Sequence, residues 1–406
     1  MSLLSSIFRE KVSKHKDFRM RNESEFDVGY PSGFLNFDFI NGAIIHVRSE
    51  ERNFKYYSIG VTDGSLITVI GRSGCGKTTF IIQSSANIIR QFPTACIFED
   101  SIEGGIIQNR KEALSKFYGE ELKKRFVSRN TGITAENFYE RIKMIHDMKL
   151  EKREEFEYDT ELYDNVGNRI FKLEPTIYIL DSIALIMPGK LTDEDELSGP
   201  MATTAGAKSI TDIFRRIIPM LKTANIILFV VNHILADVNI NPMQRKKAQV
   251  SYLKPGERLP KGDTVIYLSN NIIRLDDKTK LKEDETFGIN GSIVELTLVK
   301  SRTSRAGLVT PLVFDQNKGF DPELSLFIMM KSLDKINGAG IGMYFGDNKE
   351  YKFSQKNFKN KLKDPEFRAI FTKEVFEVLR SIPVEIEYED PEYLLNNEIM
   401  AMFNVS

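Results

Sequence analysis

Cysteine is scarce: only Cys75 and Cys96 occur in 406 residues. Neither a disulfide framework nor a cysteine-based metal spacing can be built from two, a usage that suits a reducing compartment. The four histidines, His15, His46, His146 and His233, are scattered and form no zinc pattern. No apolar run approaches the roughly 20 residues that span a bilayer, so no membrane role is expected and the cytoplasm is the expected location. An excess of charge is also missing, because 56 Lys and Arg stand against 57 Asp and Glu, a formal net charge of −1. Any nucleic-acid surface must therefore be local rather than global. With 41% hydrophobic residues, the chain can bury one large core with appendages, or two to three smaller ones.

What is present is more specific. Gly71-Arg72-Ser73-Gly74-Cys75-Gly76-Lys77-Thr78 fits the phosphate-cradling pattern GxxxxGK[ST]. The apolar, β-branched run 65–70 before it reads as a buried strand, and the stretch from Thr79 towards Arg90 reads as a helix. Strand, glycine loop and helix, in that order, aim backbone N–H groups and the helix dipole at an anion. Residues 71–79 are thus expected to bind a nucleoside triphosphate. Lys77 would reach the β- and γ-phosphates, and the Thr78 hydroxyl would ligate Mg²⁺.

Further pieces follow at strand ends. Thr176-Ile177-Tyr178-Ile179-Leu180-Asp181 is a buried strand closing on a carboxylate, where glycine-loop enzymes hold Mg²⁺. The run Ala95–Phe98 enters Glu99-Asp100-Ser101-Ile102-Glu103, and strand-end loops face the ligand crevice. Glu103 is the first candidate for the base that activates water, with Asp100 second. A third apolar strand, 226–231, ends in Asn232-His233. The segment from Ile234 to about Pro260 is long and weakly periodic, carrying Arg245, Lys246, Lys247, Tyr252, Lys254 and Arg258. Basic residues with an interleaved aromatic fit phosphate neutralisation plus base stacking on single-stranded nucleic acid. Lys300 and Arg302 follow the strand 292–299 and alternate by two, so both point to one face. There they serve either as cations supplied to a neighbour's phosphates or as an exposed charged edge.

Strands and helices alternate between these landmarks, predicting an α/β fold with a mostly parallel, doubly wound sheet. The strand candidates are 65–70, 94–99, 176–180, 226–231, 263–269 and 292–299. Three regions are expected: an N-terminal arm and oligomerisation lead-in over 1–60, the core over 61–325, and a small helical region with an acidic tail over 326–406. Leu4, Ile7, Phe8 and Val12 share one helical stripe of the arm, which would dock on a neighbouring copy. The charged stretch around 135–175 reads as an exposed excursion from the sheet.

Taken in order, these motifs resemble the RecA-type recombinases, most closely the phage members. The resemblance runs through the glycine loop, Ile179-Leu180-Asp181-Ser182, 207–215, Val231-Asn232-His233, 262–267 and Val299-Lys300-Ser301-Arg302-Thr303. It implies a RecA-like P-loop ATPase core and a DNA-dependent ATPase that forms a helical filament on single-stranded DNA. Pairing and strand exchange with homologous duplex DNA in recombination and repair would follow, with mediator and single-strand-binding proteins as possible partners. ATP and Mg²⁺ would lie between subunits. His233 would sense the γ-phosphate and relay it to the loop after it, and Lys300 and Arg302 would reach the next subunit's ATP. Two other readings share the motifs: a DnaB-type hexameric replicative helicase, and an ATP-switched filament or mediator protein with little hydrolysis.

Overall fold

The computed structural model describes residues 27–48, 53–102, 121–163, 167–187, 200–236, 253–260, 263–281 and 289–385. Its centre is a nine-stranded sheet. In chain order the strands are β1 (Leu66–Gly71), β2 (Ile97–Ser101), β3 (Phe126–Arg129), β4 (Thr176–Asp181), β5 (Ile226–His233), β6 (Asn271–Leu281), β7 (Gly291–Lys300), β8 (Leu308–Asp315) and β9 (Gly319–Asp321). They lie in the order β9-β8-β7-β6-β1-β5-β4-β2-β3. From β6 to β3 every pairing is parallel, whereas β7, β8 and β9 are added antiparallel. The mostly parallel, doubly wound α/β sheet expected from the sequence is present.

Alternation along the central strands builds two cores. Ile177 and Ile179 of β4, and Ile227, Phe229 and Val231 of β5, pack with Phe80, Ile81 and Ile88 of helix α1 (Lys77–Arg90). Their neighbours Tyr178, Leu180, Leu228 and Val230 meet the opposite layer. That layer is α2 (Ala135–Glu151), contributing Phe138 and Ile142, and α3 (Pro200–Thr223), contributing Phe214 and Ile217. Because successive side chains of a strand point to opposite faces, strands apolar at every position must be covered on both sides. Phe34 and Phe37, from the short helix Leu35–Ile40 and the residue before it, lie on Phe80 with ring centroids 5.3 Å apart.

Two expectations are corrected. The run 263–269, read as a strand, is instead a helix, α4 (Asp263–Leu268), and the strand is the next segment, β6. The stretch after α2 is less exposed than expected. A hairpin of Glu157–Tyr163 and Arg169–Leu173 is pinned inward by Tyr158, whose hydroxyl donates to Tyr30 (2.9 Å) and whose ring meets Phe92. C-terminal to the sheet, helices Pro322–Ser332 and Pro365–Leu379 share an aromatic cluster of Phe327, Phe345, Phe353, Phe358 and Phe367. The acidic tail beyond Glu385 and the arm before Asp27 lie outside the described residues. Among the described residues no helix is long and apolar enough to cross a membrane.

Lys149, near the end of α2, is 1% exposed and donates to the carbonyl of Glu174 and to Thr176 Oγ1. Burial pulls its ammonium down from 10.5 to about 7. Between those values the unfolded chain holds a proton that the folded chain has released, so stability rises with pH across this window. The unfolding free energy of the wild type, read from urea titrations, is expected to climb from pH 7 to pH 9, with a slope approaching about 1.4 kcal/mol per pH unit. The climb should vanish in Lys149→Gln. An equal climb in that variant assigns the effect to other groups.

Candidate nucleotide-binding site

Parallel pairing puts the C-terminal ends of β1, β2, β4 and β5 along one edge, the place where open α/β sheets bind ligands. Gly71 is in register with His233, and Asp181 with Ser101. The glycine loop leaves β1 at Gly71 and becomes α1 at Lys77. Gly76 has φ +87°, and a Cβ there would meet the Phe320 ring at 2.7 Å. Only glycine fits that position. As the residue preceding α1, Gly76 has no side chain to cap the first turn, so N–H groups of the helix start remain for an anion.

Of the loop residues, Arg72, Ser73 and Gly74 are exposed and Cys75 is buried. Lys77 is 5% exposed. Its ammonium donates to the carbonyls of Gly71 (3.0 Å) and Arg72 (2.8 Å) and lies 3.4 Å from His233 Nδ1. It thus sits inside the curve of the loop, where a β/γ-phosphate would replace the carbonyls. Thr78 Oγ1 donates to Asp181 Oδ2 at 2.7 Å. A hydroxyl and a carboxylate meeting at the loop mouth are hard oxygen donors, which suit Mg²⁺, an ion that takes few protein oxygens and completes its shell with phosphate and water. Among the described residues no group of three His, Cys, Asp or Glu is gathered around a metal. Thr79 is turned inward and 5% exposed, so only its backbone is available to a phosphate.

The acidic cluster at the end of β2 divides. Asp100 is fully buried and accepts from Arg129 (3.1 and 3.2 Å), from Arg141, and from the Tyr178 hydroxyl (2.6 Å). With its oxygens engaged by two guanidiniums and a phenol, Asp100 is a structural anion. The second choice for the water-activating base is thereby corrected. Glu99 is likewise buried, and Ser128 donates to it. Glu103 lies outside the described residues. The residue before it, Ile102, donates its N–H to the Asp181 carbonyl (2.7 Å).

His233 ends β5 and takes its own N–H to the side chain of Asn232 (2.9 Å), while Asn232 Nδ2 donates to the Pro260 carbonyl (3.1 Å). Two residues on, the chain enters a two-stranded ladder in which Leu235 pairs with Arg258 and Ala236 with Glu257. The long basic segment is therefore pinched at its base directly beside the glycine loop. Arg245, Lys246, Lys247 and Tyr252 lie outside the described residues. Lys254 and Arg258 are exposed on this stem, with Lys254 3.2 Å from Asp276.

Lys300 lies elsewhere. It is in register with Ile272, which pairs with Thr68, three residues upstream of Gly71. At about 3.3 Å per residue, its backbone sits about 10 Å back towards the opposite edge of the sheet, two strands from β1. Its ammonium donates to the Tyr267 carbonyl (2.7 Å) at the end of α4 and stands over the Tyr267 ring, which is 80% exposed. Partial burial, and then the charge of Arg302, hold this lysine below its usual range. Arg302 is exposed. Strand β7 ends at Lys300, so Arg302 lies in the bend beyond it, near enough for its charge to act on Lys300.

Sequence reasoning missed three charged residues that bind the loop to the stem. Glu257, Arg274 and Asp276 form a mostly buried chain of ion pairs. The only signal was the spacing of Arg274 and Asp276, two apart on one strand face.

The sequence matches no protein-family model and no curated protein. The fold is similar to a solved structure described as the crystal structure of the RadB recombinase, at a TM-score of 0.37 and 18% sequence identity. That likeness covers 64% of this chain and 92% of the other. A likeness of that degree carries no functional weight by itself.

Proposed function

We propose that this chain is an ATP-dependent DNA recombinase of the RecA type, in its phage (UvsX-like) form. It would coat single-stranded DNA as a helical filament and exchange it with a homologous duplex. One observation carries the reading: His233 stands 3.4 Å from Lys77 on one side and opens the stem of the basic segment on the other. A γ-phosphate drawn to Lys77 is thereby felt two residues from a DNA-binding stem.

The chain's own residues divide the work. Gly71 to Thr79 hold the triphosphate, with Lys77 giving up its carbonyl partners for phosphate oxygens. Thr78 and Asp181 would hold Mg²⁺, which when bound neutralises charge on the phosphoryl oxygens. Glu103, next in the chain to the residue bonded to Asp181, orients and deprotonates the attacking water. Lys300 and Arg302 supply positive charge to the ATP of the neighbouring copy. Arg245, Lys246, Lys247, Lys254 and Arg258 neutralise the DNA backbone, and Tyr252 stacks on a base.

The test is phosphate release with and without single-stranded oligothymidylate, beside DNA affinity with and without ATP. DNA is expected to stimulate release, ATP to tighten DNA binding, and Glu103→Gln to lower turnover by about 10²-fold or more while still binding DNA with ATP. DNA affinity indifferent to nucleotide, together with release indifferent to DNA, overturns the proposal.

A further inference from the structure

Beyond His233, a second connection joins the glycine loop to the stem, and it is made of charge. Glu257 lies on the stem ladder opposite Ala236. Its carboxylate receives the Arg274 guanidinium through two bonds, 2.8 and 3.1 Å, with both side chains 5% exposed. The Lys254 N–H also donates to it (2.8 Å). From the other side comes Arg72, the second residue of the glycine loop, whose guanidinium reaches Glu257 Oε1 at 3.4 Å while its side chain stays 73% exposed. Arg274 continues to Asp276 (2.9 and 3.0 Å), and Asp276 meets the Lys254 ammonium (3.2 Å).

The two halves of this chain differ in strength. The Arg274–Glu257 half is desolvated and bidentate, so removing one partner would strand a buried charge. Burial draws the Glu257 carboxyl upward, but the Arg274 guanidinium and Lys254 together outweigh it and keep the group below its usual range. The Arg72 half is long, exposed and weak, the kind of contact worth little in water. A triphosphate seated in the loop brings several negative charges within reach of Arg72 and competes directly with Glu257 for it.

We infer that Glu257 is a positioning residue that couples nucleotide occupancy to the DNA-binding stem, with Arg72 as its exchangeable partner and Arg274 as its fixed one. Phosphate and Glu257 contend for one guanidinium, so the position of the stem and the filling of the loop become parts of one equilibrium. The inference rests on the recombinase reading, because it takes the stem of Lys254 and Arg258 to touch DNA.

The full-length chain is titrated onto fluorescein-labelled oligothymidylate, with and without Mg²⁺ and the non-hydrolysed analogue AMP-PNP. The ratio of the two affinities is the coupling factor. In Glu257→Gln, DNA affinity without nucleotide is expected to hold while the coupling factor falls about fivefold or more. Arg72→Gln should lower the factor comparably, and the double variant should lose no more than either single one, because both remove the same contact. Should Glu257→Gln fail to fold, Arg72→Gln carries the test, since its side chain is largely in solvent. A wild-type coupling factor preserved in both variants, or losses that multiply in the double variant, overturns the inference alone. A wild-type factor of one overturns the recombinase reading, and this inference with it.

Discussion

Arg302→Ala is expected to lower DNA-stimulated ATP turnover by about 10³-fold or more, the effect of removing a cation that stabilises phosphoryl transfer. In the proposed shared pocket the effect is intermolecular. Lys300 leaves β7 two strands from β1 and about 10 Å upstream of the glycine loop's level, a placement that supports cations serving a neighbour's loop rather than their own. A mixing experiment reads this directly. Arg302→Ala has an intact loop, and Lys77→Ala has intact cations; each alone should be nearly inactive. Combined in equal amounts, they form some contacts in which an intact loop faces intact cations. With random assembly this is about a quarter of contacts, so about a quarter of wild-type turnover should return. No recovery on mixing places Arg302 within its own chain's site and refutes the shared pocket.

Lys77→Ala alone should cost about 10²–10³ in turnover, as expected for a preorganised donor aimed at developing charge. The less obvious result concerns Lys77→Arg, which keeps the charge. Lys77 is 5% exposed and its ammonium fits between two loop carbonyls and His233. A planar guanidinium is larger and donates in a fixed fork, so it cannot take that place without displacing the loop. Lys77→Arg is therefore expected to lose nearly as much turnover as Lys77→Ala. Full activity in the arginine variant would show that charge alone suffices and that the enclosure of Lys77 has no catalytic consequence.

The parts of the fold legible in the sequence were those whose signal is local. The glycine loop, Asp181 and the apolar strands carrying them could be read because a strand buried on both faces is apolar at every position. The error at 263–269 has a local cause too. Val265, Ile266 and Tyr267 favour strands by propensity, yet here Val265 and Ile266 are buried along a single helical turn and Tyr267 is left in solvent. The true strand beside it was hidden by Arg274, a charge in its middle that looks incompatible with burial. Its partner Glu257 lies 17 residues away, beyond the reach of any periodicity. Asp100 failed for the same reason. An acidic trio at a strand end resembles a reactive site, and only the fold brings Arg129, Arg141 and Tyr178 round it. Strand β8 was obscured by Pro311, a residue that ordinarily argues against a sheet interior.

Lys300 and the glycine loop sit at different levels of one sheet, two strands apart, and a pocket shared between copies would give any string of them a head and a tail. In a string of n copies joined through such pockets, n − 1 loops are completed and the last is left without its cations. Output per copy must then grow with length and level off, steeply for pairs and triplets and hardly at all for long strings. A short oligonucleotide that seats two or three copies becomes a poor activator for geometric reasons, however tightly it is held.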